Sequence, residues 1–323
     1  MFASRYLRWA PLVALVALAA CAGQQAGPGG ALPQAAAPAA SRNTVRPNHG
    51  KSWMDPLARS NALVYISDTF GHVVNVYTYP RLRYVGQLTA FSAPSGECTD
   101  KAGDVWITDM TGFVYKYAHG GTSPIETLST GMISPRDCAV NNKNGDLAVA
   151  NSDTQVAIVH TGSSTPTTYN DPNFGSGWTI GMVSLAYDNR ANLFVDGNDQ
   201  SGTFHYAELA KGSTSLADLT LNGFVTSSGA GGVRWDGAYI VVGDSQSTLY
   251  RTAGSNVVST IALTTTCAFA DAIVPSRRGS TVIAPDQCSS GSPIDEYAYP
   301  AGGSPIRSVT TTLNTPYGAA FSR

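Results

Sequence analysis

The sequence predicts an all-β, six-bladed β-propeller closed by its C-terminal strand, and three observations carry this. First, six segments of one form recur: LVYISDTFGHVVNVYTYP (63–80), DVWITDMTGFVYKYAHG (104–120), DLAVANSDTQVAIVHTG (146–162), NLFVDGNDQSGTFHYAEL (192–209), AYIVVGDSQSTLYRTAG (238–254) and STVIAPDQCSSGSPIDEYAYPAG (280–302). Each has an apolar run, an Asp or Asn, a small polar turn and a second run of alternating apolar and aromatic residues. Anchored on Asp68, Asp109, Asn151, Asp196, Asp244 and Asp286, they lie 41, 42, 45, 48 and 42 residues apart. Periods in the forties built from short β-runs are those of four-stranded blades. Second, a further strand-like run precedes five of the hairpins: GECTD (96–100), RDCAVN (136–141), VSLAYD (183–188), GGVRWD (231–236) and CAFADAIV (267–274). Third, the first hairpin lacks such a run, while the chain ends in TPYGAAFSR (315–323), which matches SPRDCAVN in form. The terminal strand is therefore expected to be the innermost strand of blade one, leaving no open inter-blade edge.

Ahead of the repeats the chain begins MFASRYLRWAPLVALVALAAC. Arg5 and Arg8 precede an apolar stretch from Ala10 to Ala20, too short for a stable membrane span but suited to a secretory signal. Leu18-Ala19-Ala20-Cys21 resembles a bacterial lipobox, which implies cleavage after residue 20 and a lipid on Cys21. Residues 22–50 are Ala, Gly, Pro and Gln with almost no large apolar group, and read as a flexible tether. The expected organisation is a signal peptide (1–20), a lipidated tether (21–50) and a propeller (51–323). The protein would then be exported and lipid-anchored in the bacterial cell envelope, facing the periplasm or the exterior.

Charged residues are 13% of the chain, against about 25% in an ordinary globular protein. Loss of residues 1–20 removes two Arg and no acid, taking the net charge from −2 to −4. There is no basic footprint, so nucleic acid is not an expected partner. Besides Cys21 the cysteines are Cys98, Cys138, Cys267 and Cys288, an even number with three possible connectivities. Cys98 and Cys138 take matching places in neighbouring inner runs, and Cys267 and Cys288 flank one hairpin. Those two pairs are the expected disulfides. The five histidines never stand three or four residues apart, so no histidine metal site is expected.

The six anchor residues are read first as turn-makers, because Asp and Asn accept hydrogen bonds from N–H groups two residues on. Six copies are not needed for one active site. Their place at the ends of second strands would make the upper rim acidic. Tyrosines at 77, 79, 115, 117, 206, 250, 297 and 299 recur in third strands, where one of each pair is expected between blades and the other outward.

The motif G-[DN]-[LV]-x-[VI]-x-[DN] appears as GDVWITD (103–109) and GDLAVAN (145–151), and more loosely as ANLFVDG (191–197). Through it, residues 60–323 resemble the six-bladed propellers of the NHL-repeat type. SWMDPLARSNALVYISD, YAHGGTSPI (117–125) and YPAGGSPI (299–306) also resemble secreted bacterial propellers. A related family, the gluconolactonase and senescence-marker-protein group, hydrolyses lactones with one divalent metal held by a Glu, two Asn and an Asp at the channel mouth. Glu97 stands where that family's Glu would be, and Asp137 stands where an Asn would be. Val183 or Ser184, Gly232 and Ala268 fill the other inner positions, and Asp271 lies deeper. Two hard ligands of four match poorly, because calcium takes six or more oxygens. A lactonase-type hydrolase using Glu97 and Asp137 with calcium or another divalent metal is therefore only the alternative reading.

The remaining candidates are the loops entering the inner strands: APSGE (93–97), SPRD (134–137), FGSGWTIG (174–181), SSGAGG (227–232) and NTPYG (314–318). Glu97, Arg136, Asp137, Trp178, Arg234 and Tyr317 would give this mouth its chemistry. No Ser-His-Asp set, phosphate loop or acid–base pair is recognisable among them. The leading expectation is a monomeric binding or scaffold module without cofactor or catalytic residues. It would hold a protein partner or an envelope glycan at the upper face, with the membrane met only through the lipid.

Overall fold

The computed structural model describes residues 50–177, 181–224, 229–265, 280–287, 292–310 and 313–323, all within the unit Thr44–Arg323. Blade one contains β1 (Trp53–Met54), β2 (Ala62–Asp68), β3 (Val73–Tyr79) and β4 (Tyr84–Leu88). Blade two is β5 (Pro94–Thr99), β6 (Val105–Asp109), β7 (Phe113–Tyr117) and β8 (Pro124–Ser129). Blade three is β9 (Pro135–Val140), β10 (Leu147–Asn151), β11 (Gln155–Val159) and β12 (Thr167–Asn170). Blade four is β13 (Gly181–Tyr187), β14 (Leu193–Asn198), β15 (Phe204–Leu209) and β16 (Ala217–Asp218). Blade five is β17 (Ala230–Trp235), β18 (Ile240–Asp244), β19 (Thr248–Ala253) and β20 (Asn256–Ala262). In blade six the described strands are β21 (Thr281–Pro285), β22 (Ile294–Ala298) and β23 (Arg307–Val309). Every pairing between the strands named above is antiparallel, and from β2 on sequence neighbours within each blade pair in order.

The last strand, β24 (Pro316–Ser322), pairs with β2, Tyr65 opposite Ala320 and Ile66 opposite Ala319, and so forms the innermost strand of blade one. The ring thus closes as the repeat count requires. Two features had no counterpart in the pattern. Trp53 and Met54 add a fifth strand outside β4, and Pro56–Ser60 form one short helical turn whose N-cap, Asp55, accepts from Leu57 N at 2.8 Å. No helix among the described residues is long and apolar enough to cross a membrane.

Why the tyrosines pack as they do follows from where the cores lie. Apolar residues form a cluster at each blade junction, and each draws on two blades. Tyr65 and Val76 of blade one meet Ile107 and Tyr117 of blade two, while Val64 and Ile66 meet Ile283 and Ile294 of blade six. Alternate residues of one strand therefore enter cores on opposite faces of the same blade. Tyr115 and Tyr117 are both buried, as are Tyr297 and Tyr299. This corrects the expectation of one outward tyrosine per pair: residues two apart share a face, so Tyr115 and Tyr117 enter one core and Tyr297 and Tyr299 another.

Candidate functional site

Five described inner strands, β24, β5, β9, β13 and β17, stand side by side around the central channel. They approach so closely that two positions demand glycine. A Cβ on Gly96 would lie 2.3 Å from Asp137 Oδ1, and one on Gly318 would lie 2.2 Å from Ser95 O. Just beyond them, Cys98 of β5 and Cys138 of β9 form a disulfide with their Cα atoms 5.6 Å apart, stapling blade two to blade three. Cys267 and Cys288, like Cys21, lie outside the described residues.

Inside the ring is a polar network spanning three blades. Arg234 of β17 donates through Nη1 to Asp137 Oδ2 at 2.7 Å and through Nη2 to Oδ1 at 3.3 Å. Ser184 of β13 donates to the same Oδ2 at 2.6 Å, and Leu185 N adds a contact at 3.2 Å. Both Asp137 oxygens are thus committed to protein donors, with the guanidinium as counter-charge. That commitment weighs against Asp137 as a ligand of a lactonase-type ion. Behind it, Asp196 is wholly buried and accepts from Ser184 N at 3.0 Å and Gly232 N at 3.2 Å. Burial raises its pKa to about 8 despite those N–H groups; nearby Asp137 adds to the rise and Arg234 moderates it.

Of the other mouth candidates, Glu97 is buried on β5 and accepts from Ser67 Oγ at 2.5 Å. Arg136 lies over the ring of Tyr317, 4.6 Å from its centroid, and hydrogen-bonds its hydroxyl. This pair reaches from blade three to blade one across the inner strand of blade two. Arg136 is buried by it, so the channel end near the entry loops holds a packed cation–π pair. Trp178 lies outside the described residues.

The cavity is at the other end of the channel. A space of about 750 Å³ is walled by the last residues of the inner strands and the turns after them, including Glu97, Tyr187, Trp235 and Phe321. Lys101, Lys143, Asp188 and Arg323 add charge of both signs. This cavity lies at the end of the channel opposite the entry loops named from the sequence. Of the six mouth candidates, Glu97 and Arg234 reach this cavity wall.

The anchor residues are also clearer. Asp109 accepts from Thr111 N at 3.1 Å, shaping its turn, but also from Ser92 N at 2.7 Å and Ala93 N at 3.2 Å in the loop entering β5. Asp68 does the same with Gly71 N and with Asn314 and Thr315 N before β24. Asn151 accepts from Ser134 N at 2.8 Å before β9. Each clasps its own blade's inner strand. Asp244 accepts from Gln246 and Thr248 N within its turn. Asp196 is a correction: it sits inside β14, and Asp199 caps that turn instead, accepting from Ser201 and Thr203 N. Asp286 lies at the end of β21, and all six anchors are buried, so they give no acidic upper rim.

A second series escaped the sequence reading. Asp100, Asn141, Asp188 and Asp236 end the inner strands and accept from N–H groups two residues on, at 2.9, 3.0, 2.7 and 2.8 Å. Their spacings of 41, 47 and 48 residues carry the same period as the anchors. Three of these acids line the cavity. Burial opposes ionisation of Asp236, but hydrogen bonds from Tyr299 and the Tyr239 and Ala238 N–H groups, with Arg251, hold its pKa below the usual carboxylate value.

Fold and channel together define a six-bladed β-propeller with a polar axial network and a cavity on the turn face. A chain in a crystal structure of a nidogen/laminin complex is similar to this one, with a TM-score of 0.65 over 81% of this chain and 98% of that chain at 11% identity. A likeness at that identity concerns the fold alone. No family model matches the chain, and no curated protein matches it.

Proposed function

We propose that this chain is an exported binding propeller of the NHL type, lipid-anchored through Cys21, that holds a protein partner at its turn-face cavity. One observation carries the reading: the channel's best-placed charges, Asp137 and Arg234, are spent on each other, while the cavity beside them presents aromatic and charged side chains of both signs. A surface of that chemistry suits a polar loop of another protein. The structure similar in fold comes from a nidogen/laminin complex, which supports a protein over an envelope glycan. The 29 residues from Ala22 to Gly50 would let the cavity reach a partner away from the membrane.

The test is affinity capture from cell-envelope extract with the full chain. Lys101→Glu with Arg323→Glu, both exposed at the cavity, should abolish capture of a discrete protein. Ile133→Ser, at the opposite face and 76% exposed, should leave it intact. Loss with Ile133→Ser alone would refute the cavity as the docking face. Capture of peptidoglycan in place of protein would refute the protein partner.

A further inference from the structure

Away from the channel, three side chains from distant points in the sequence converge beside the crossover from blade three to blade four. Asp171 directly follows β12, His205 is the second residue of β15, and Asp218 ends β16. One ligating atom from each lies within 4.8 Å of the others. His205 Nε2 is 3.5 Å from Asp171 Oδ2 and 3.0 Å from Asp218 Oδ1.

Each side chain is held in place by something other than its two companions. Asn173 N donates to Asp171 Oδ1 at 3.0 Å, which turns Oδ2 toward the imidazole. Asn173 Nδ2 donates to Asp218 Oδ2 at 2.7 Å, leaving Oδ1 to face His205. The buried ring of Phe174 packs edge-on against the His205 ring, centroids 4.5 Å apart. The independent sign of a ligand is Asp171 itself: it is 5% exposed, and its Oδ2 accepts no hydrogen bond from the described residues. A buried carboxylate oxygen without a donor is costly, and a cation removes that cost.

We infer that Asp171, His205 and Asp218 form a binding site for a zinc-type divalent ion, which fastens the crossover of blade four to its outer strands. Tetrahedral zinc holds nitrogen and oxygen donors at about 2.0–2.2 Å, so its ligands stand roughly 3.4 Å apart, and the two measured separations bracket that value. One imidazole among the three donors selects zinc, or a metal of similar preference, over calcium, which takes six to eight oxygens. The Asp218 side chain is 49% exposed, so the fourth position opens to solvent and a water can fill it.

Calorimetric titration of the chelator-treated full chain with zinc chloride tests this. One ion per chain should bind, and zinc should raise the melting temperature by mass action. His205→Ala and Asp218→Asn should each weaken binding by at least about tenfold, the size of effect known even for outer-shell changes at metal sites. His160→Ala breaks another His–Asp pair, His160 with Asp146, and should bind as the wild type does. Metal-free melts of the variants show whether each has folded, and cobalt should give the visible absorption of a tetrahedral site. No saturable binding overturns the inference. So does zinc affinity unchanged in both folded variants, which would place the ion elsewhere.

Discussion

Arg234 reaches from the fifth blade to the carboxylate of Asp137 on the third, Nη1 to Oδ2 at 2.7 Å, with the fourth blade's Ser184 bonded to both. This one ion pair, with Ser184, joins three inner strands and commits both of its charges to each other. Removing one partner strands the other in a buried site. Arg234→Met should therefore lower unfolding free energy by about 3–5 kcal/mol, and Arg234→Met with Asp137→Leu should recover a large part of it. Denaturant titration decides: a double variant no more stable than the single would show that the charge is not what matters.

Asp196 gives a prediction in pH. Its folded pKa of about 8 lies above the ordinary carboxylate value of 3.8, so the folded state holds the proton more tightly. Its contribution to stability is full below about pH 4 and is lost as pH rises toward 8. Asp196→Asn, which cannot ionise, should flatten the fall in melting temperature across that window. An unchanged pH profile would assign the fall to other groups.

The Cys98–Cys138 bond closes a span of 40 residues, which corresponds to about 4 kcal/mol in the chain-entropy account. Changing both cysteines to serine should lower stability by roughly 2–4 kcal/mol while leaving the blade register intact. Equal midpoints for the wild type and this variant in denaturant would rule the staple out as a source of stability.

Gly318→Ala sets the new methyl 2.2 Å from Ser95 O and 2.5 Å from Glu97 Oε2, at the closure of blade one on blade two. Backbone cannot yield there without moving β24. A loss of about 1–3 kcal/mol is expected, with the ring still closed. Melting at the wild-type temperature would mean that β24 packs more loosely than described.

Cys21→Ala should release the protein from membranes, since the proposed lipid is its only predicted attachment. Cell fractionation checks this: wild type in the membrane pellet and variant in the soluble extract is the expected pair, and both in the same fraction would contradict the anchor.

The blade count and closure were legible because each repeat needs the same strands and turns, and because the terminal strand has a form only blade one lacks. Anchoring on Asp196 failed for a local reason. Asp196 stands two residues before the end of β14 at Asn198, whereas Asp109 and Asn151 end β6 and β10, so the turn after β14 is capped by the next acid, Asp199. Gly-rich entry loops drew attention to the channel end opposite the turn-face cavity. Their glycines also serve close strand contact, as Gly96 does beside Asp137. The cavity instead follows from turn residues, such as Asp100, Asp188 and Asp236, whose shared period is visible only once inner strands are aligned. The Asp171, His205 and Asp218 cluster has no sequence signature at all. Its members lie 34 and 13 residues apart and meet only through the fold.

The most direct measurement of the central claim is site-specific photocrosslinking in intact cells, with the reactive side chain placed once at Lys101 and once at Ile133. These positions lie in the turn after β5 and the loop before β9, on opposite faces of the ring. The account predicts a discrete protein adduct from position 101 and none from 133. An adduct from 133 alone, or from neither, would contradict a partner held at the turn-face cavity.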